Sequence, residues 1–243
     1  LLICSSFCPD GLQRIVDAGR RRANIAEQSF RYQLVGDGMG RRKSYETDEV
    51  AERAMRLFWE RGYHATSTRD LTEAMGVNPY SLYAEFGSKE GLYEHVLEHY
   101  DRTVVTGHFG NLESASASLD DIFDLLEYFG GGPEVAASTL GCLLCNAAVE
   151  VAPSTEVSRA TTARYTDRLT AAFENALGNA RAEGLLVEDA PITDLARFLT
   201  VVMMGLFTLG RAGSDPELLR AGAMQAFERI QAIRSTPRDT KGR

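Results

Sequence analysis

Apolar residues along this chain recur every three or four positions and never alternate over a sustained stretch, the pattern of helices that each bury one face. The first stripe is Val50, Ala54, Leu57 and Phe58, spaced i, i+4, i+7 and i+8. Thr47, followed by Asp48 and Glu49, marks its start and Gly62 its stop, with Trp59 and Tyr63 adding aromatic area. A short helix from Thr68 carries Leu71, Ala74 and Met75; a second, from Pro79, turns Leu82 and Phe86 inward; a longer one after Ser88 carries Leu92, Val96 and Tyr100. Beyond residue 106 the stripes lengthen. Leu119, Ile122, Phe123 and Leu126 form a helix stopped by Gly130, Gly131, Gly132 and Pro133. An apolar segment over residues 141–151 is cut by Pro153, and a long helix then carries Tyr165, Leu169, Ala172, Phe173, Ala176 and Leu177 to Gly184. A final pair covers residues 194–210 (Leu195, Phe198, Leu199, Val202, Met203, Leu206) and 216–235 (Leu218, Leu219, Ala223, Phe227, Ile230, Ile233). The predicted fold is all-α.

Turn chemistry gives residues 67–93 a function. Ser67 with Asp70 three residues on satisfies orphan N–H groups at a helix start, and Gly76 supplies the left-handed residue that ends this helix after two turns. Asn78 caps the next helix and Pro79 occupies its first position, where a missing N–H costs nothing. Two short helices joined by a tight glycine turn place the second helix in a DNA groove. Asn78, Tyr80, Ser81 and Tyr83 then lie on the face opposite Leu82 and Phe86, within reach of base edges or phosphates.

The succession Gly62-Tyr63, Thr66-Ser67, Arg69-Asp70-Leu71, Gly76-Val77, Leu82-Tyr83, Phe86, Ser88-Lys89-Glu90 and Leu92 resembles the tetracycline-repressor (TetR) family across residues 45–104. The resemblance implies DNA contacts from Ser67, Thr68 and Arg69 at one helix start, from Asn78, Pro79, Tyr80, Ser81 and Tyr83 on the next helix, and a phosphate contact from Lys89. Arg41, Arg42 and Lys43 precede the first helix as a basic arm able to follow the backbone or enter the minor groove. At Asn78-Pro79 the chain departs from the small polar pair more common in the family. The family implies a homodimer built from the last two helices, a palindromic double-stranded DNA operator, and a small-molecule inducer held in the helical body. Residues 141–153 are similar to a branch with Gly-Cys-Leu-Leu followed by Asn-Ala and Glu. The implied pocket lining is Thr103, His108, Phe123, Leu126, Phe129, Cys142, Asn146, Glu150, Tyr165, Arg168, Met203 and Phe207, with Cys142, Cys145, Asn146 and Val149 on one helical face.

Composition refines this reading. With 243 residues and 44% hydrophobic content the chain can bury a large core. Its net charge of -8 is wrong in sign for DNA, so the basic residues must be gathered toward the duplex, and binding should be steeply salt-sensitive. The expected organisation is a leader over residues 1–43, a DNA-binding domain over 44–104, a ligand-binding and dimerisation domain over 105–237, and a tail over 238–243. Met39 reads as a natural start, with the residues before it disordered or loosely helical at 13–33 and without a family function. Cys4 and Cys8 fall in that leader, so no disulfide framework is indicated. No segment reads as a membrane span, and a cytoplasmic location is expected.

Two further chemistries are weighed. Cys142 and Cys145 form a CxxC, read as buried inert thiols because the βαβ setting of thioredoxin-type motifs is absent; a redox or electrophile sensor would need a cation, Arg168 or His108, beside the sulfur. His95, Glu98 and His99 match the H-x-x-E-H pattern of zinc peptidases but lack a third ligand downstream. No nucleophile triad, phosphate loop or dinucleotide fingerprint appears. The expectation is a regulator, not an enzyme, with no metal and no cofactor; the alternatives are a zinc hydrolase and a helical ligand-binding scaffold without DNA binding.

Overall fold

The structure, a computed structural model, describes residues 42–130, 140–152 and 156–235. The expectations for residues 1–41, Gly131 to Pro133, Pro153 and the tail fall outside these segments. Ten α-helices follow in order: α1 (Arg42–Arg61), α2 (Thr68–Met75), α3 (Pro79–Phe86), α4 (Lys89–Tyr100), α5 (Thr106–Glu113), α6 (Leu119–Phe129), α7 (Leu143–Glu150), α8 (Glu156–Ala182), α9 (Ile192–Arg211) and α10 (Pro216–Gln231). Among the described residues the only β pairing is an isolated bridge between Leu186 and Arg234.

The first three-helix unit forms as its caps dictate. The Ser67 hydroxyl accepts from the Asp70 N–H while the Asp70 carboxylate accepts from the Ser67 N–H, closing a capping box. Gly76 ends α2 at φ 70°, and Asn78 Oδ1 accepts from the Ser81 N–H at 2.8 Å to start α3. Leu71, Met75 and Leu82 sink into a core with Phe58, Leu92 and Val96, where Tyr93 meets Phe58 edge-on at 4.8 Å. Each fully buried large side chain contributes about 1.5–3 kcal/mol.

Four expectations are corrected. α1 begins at Arg42, not Thr47, because the Arg, Lys and Glu between them are good helix formers and carry the helix through the proposed cap. Arg42 and Lys43 therefore lie in its first turn rather than in an arm. In α2 the inward position beside Leu71 and Met75 is Thr72, whose hydroxyl donates to the Arg69 carbonyl at 2.9 Å, while Ala74 is exposed. Val149 is 67% exposed instead of sharing the buried face of Cys145 and Asn146: it lies in the last turn of the short α7, where nothing among the described residues covers it, and Cys142 is the extended N-cap (φ -96°, ψ 127°) rather than a helical position. Finally, α9 is by length and hydropathy apolar enough to cross a membrane, which the sequence reading did not recognise. Its Leu195, Leu199 and Met203 are buried in the helical body.

α4 does not stop at the module boundary. It runs through one π turn, Asp101–Val105, into α5, making a continuous rod from the first three-helix unit into the body. α8 and α6 pack on its α5 half, α9 packs on α8, and α10 on α9 and α6, with Phe173, Leu177, Ala196 and Ile230 buried among them.

Candidate nucleic-acid interface and enclosed cavity

The outer face of α3 is open. Tyr80 is 83% exposed and Tyr83 48%, and Pro79 and Ser81 lie with them at the surface. Asn78 has its carbonyl oxygen committed to the cap but keeps its amide N–H groups. Ser67 is exposed but bonded to Asp70, and Thr68 is half-buried beside it. Arg69 extends into solvent and pairs with Glu73 at 2.8 Å, an exchangeable ion pair of the kind that adds little stability. Lys89 lies over the Tyr63 ring, 4.2 Å from its centroid, and burial lowers its ammonium pKa. The Tyr63 hydroxyl in turn donates to Glu90 at 2.7 Å. Of the proposed arm, Arg41 lies outside the described residues.

Behind this unit is an aromatic cavity of about 170 Å³. Of the residues proposed for a pocket, His108, Phe129, Cys142, Tyr165 and Phe207 line it. Sequence reasoning missed Trp59, Tyr100, Val104, Val105, Phe109, Tyr128, Gly141, Leu206 and Gly210. Trp59, the chain's only tryptophan, sits at the edge of the α1 stripe and was the one available signal. Trp59 and Tyr100 meet edge-on at 5.1 Å, and Phe129 meets Phe207 the same way at 4.7 Å.

The other proposed lining residues are elsewhere. Thr103 is exposed and donates to the His99 carbonyl at 2.7 Å; Phe123 packs on Phe227 at 4.6 Å; Leu126 and Met203 are fully enclosed in the core. Arg168 binds Asp101 at 2.7 Å and Glu113 instead of lining the cavity. Asn146 donates to the Leu140 carbonyl at 3.1 Å. Glu150 does not face the cavity: its carboxylate accepts from the backbone N–H of Tyr63 at 3.0 Å and of His64 at 2.8 Å, just past the end of α1. Gly62 there has φ 86°, and a Cβ on it would come within 2.9 Å of that carboxylate.

α7 is thus fastened to α1 at both ends. At its start, the Trp59 indole N–H is shared by the Leu140 and Gly141 carbonyls, 3.0 Å from each. The Arg211 guanidinium ties the same place to α9, donating to Trp59 O at 2.8 Å and Leu140 O at 2.9 Å. At its finish stands Glu150.

His95 and His99 do not assemble a metal centre. The His95 ring meets Phe86 at a tilt, 5.4 Å between centroids; His99 Nδ1, buried without a hydrogen-bond partner, lies 3.8 Å from an Asp48 carboxylate oxygen. Among the described residues no group of three His, Cys, Asp or Glu side chains is placed to hold a metal ion.

The family model described as bacterial regulatory proteins, tetR family, matches residues 50–96, and that described as tetracyclin repressor-like, C-terminal domain, matches residues 119–227. The HTH-type transcriptional repressor ComR of Escherichia coli (strain K12) is 31% identical over 191 residues, which span 77% of this chain and 90% of ComR. Among solved structures, a cysteine mutant of the TetR family transcriptional regulator CifR, complexed with 26-base-pair double-strand operator DNA, matches with a TM-score of 0.64 and 32% identity, over 74% of this chain and 95% of that one. A TetR transcriptional regulator from Chloroflexus aurantiacus J-10-FL shares the fold, with a TM-score of 0.69 at 23% identity over 80% of this chain and 100% of its own.

Proposed function

The chain belongs to the tetR family of bacterial regulatory proteins, and from that premise we propose that it is a homodimeric transcriptional repressor, released from a two-fold symmetric operator when a small apolar molecule fills its cavity. The observation that carries this reading is the position of Trp59. It belongs to α1 of the DNA-reading unit and is also a wall of the cavity, so an occupant that moves it acts on the unit directly. The open α3 face with Tyr80, Ser81 and Tyr83 supplies the contacts to bases and phosphates.

A dimer brings two α3 helices to successive major grooves. Val201 on α9 is 69% exposed, and Leu209, Leu218 and Met224 are exposed on α9 and α10, as a partner's matching helices would require. Residues 44–104 form the DNA-binding part and 105–237 the sensing and dimerising part, working on DNA in the cytoplasm. The aromatic lining suits a planar or compact apolar inducer oriented by the His108 imidazole and the Tyr165 hydroxyl. An inducer works here by its differential affinity for the two spacings of the DNA-reading units.

The test is a footprint of the purified chain on the DNA flanking its own gene. Protection of a symmetric site, lost with rising salt, is expected; a folded dimer that protects nothing would leave only the scaffold reading.

A further inference from the structure

One nucleophile in the cavity wall has no part in the reading above. Cys142 combines three properties: it lines the cavity, it is the N-cap of α7, and its sulfur is surrounded by donors. Its Sγ lies 3.3 Å from the Tyr165 hydroxyl, and the Tyr100 hydroxyl, the Cys145 thiol and the Cys145 backbone N–H also bond to it. Burial pushes the Cys142 thiol up, but these four hydrogen bonds outweigh it and hold the thiol below its ordinary value. Its neighbours move the other way. The hydrogen bond to Cys142 and burial keep Cys145 protonated, and burial does the same for Tyr100 and Tyr165. Of these groups Cys142 is therefore the one that gives up its proton first, facing a cavity at the positive end of a helix. The cation that the sequence reading required is replaced by neutral donors.

We propose that Cys142 and Cys145 are a dithiol switch, oxidised to an intrahelical disulfide by a hydroperoxide that enters the cavity. The Cys142 thiolate attacks the terminal peroxide oxygen and the O–O bond breaks. Cys142 becomes a sulfenic acid and the departing alkoxide takes a proton to leave as alcohol. The Cys145 thiol then attacks the sulfenic sulfur, water leaves, and the disulfide closes. The two sulfurs supply the two electrons that reduce the peroxide to alcohol and water. A disulfide wants its Cβ atoms about 4 Å apart, so closure draws the extended Cys142 cap against the first turn of α7. That turn directly follows the Leu140 and Gly141 carbonyls that hold Trp59. Release of DNA by oxidation follows from this, and this last step alone rests on the regulator reading.

The experiment treats the reduced full-length chain with cumene hydroperoxide and follows it by peptide mass. The expected result is loss of two hydrogens between Cys142 and Cys145, reversed by dithiothreitol, at a rate well above that of Cys4 and Cys8 in the same chain. Cys145→Ser should stop at the sulfenic acid, trapped on Cys142 by dimedone, and Tyr165→Phe should slow oxidation at neutral pH about tenfold. Oxidation of Cys142 no faster than of Cys4 and Cys8, or the same product from wild type and Cys145→Ser, would overturn the switch. A gel shift on both forms separates the rest. A reduced form that binds and a disulfide form that binds equally removes the coupling to DNA, and a reduced form that binds no DNA removes the regulator reading while leaving the thiol chemistry intact.

Discussion

Tyr83 and His99 show how differently two side chains of one small unit are used. Half of Tyr83 faces solvent, on the same helix as the fully enclosed Leu82, so its ring stabilises little in the free protein. Tyr83→Ala should weaken operator binding about tenfold in a gel shift and leave the melting temperature nearly unchanged. An equal loss of both would make Tyr83 a core residue. His99 is buried with its Nδ1 unpaired, and burial lowers its pKa below the ordinary 6.5; the nearby Asp48 opposes this and Arg102 adds to it. The unfolded chain therefore binds the proton first as pH falls. Its contribution to stability is full above about 6.5 and is lost as pH drops below it, so thermal melts at pH 5.5 should show a lower midpoint than at pH 7.5, and His99→Gln should reduce the difference.

At the level of elements, the caps were legible and the couplings were not. Ser67, Gly76, Asn78 and Ser88 each act within four residues of themselves, and chemistry that local is written in the sequence. The α1 start failed because cap residues are also tolerated inside a helix of strong formers, and Val149 failed because spacing assigns a residue to a face without saying whether that face is covered at the end of a short helix. Five of the twelve proposed pocket residues reach the cavity, because apolar spacing identifies which residues are inside but not which of them border empty space. Glu150 illustrates the limit: its partners are 86 and 87 residues away and are backbone N–H groups, which carry no sequence signature. Glu150→Ala leaves those two N–H groups without their acceptor and should cost about 1–3 kcal/mol in denaturant unfolding. It should also uncouple the cavity from DNA, so that an inducer still binds by calorimetry but no longer displaces the operator.

Across the whole molecule, opposite demands meet on one acidic chain. A chain of net charge -8 repels the duplex, so affinity must come from a small basic and aromatic face, and binding measured between about 50 and 200 mM salt should fall steeply. The apolar exposure on α9 and α10 makes a second demand. Val201→Glu combined with Leu218→Glu places charge on that face without entering the core, and sedimentation should find a folded monomer that no longer binds a two-fold site. In the proposed dimer the apolar length of α9 serves two burials, inward on Met203 and outward on a partner.

The π turn between α4 and α5 gives this molecule a place where its length can change. Along an α-helix each residue adds about 100° of rotation, so deleting one from α4 would swing the DNA-reading unit to another side of the body. A π turn already holds one residue more than an α turn, and losing it restores regular helix with both flanks facing as before. Residues 101–105 are therefore slack in an otherwise rigid rod, the one stretch of it where a family of such proteins could drop a residue and reshape the cavity wall at Val104 and Val105 without re-aiming α3 at DNA.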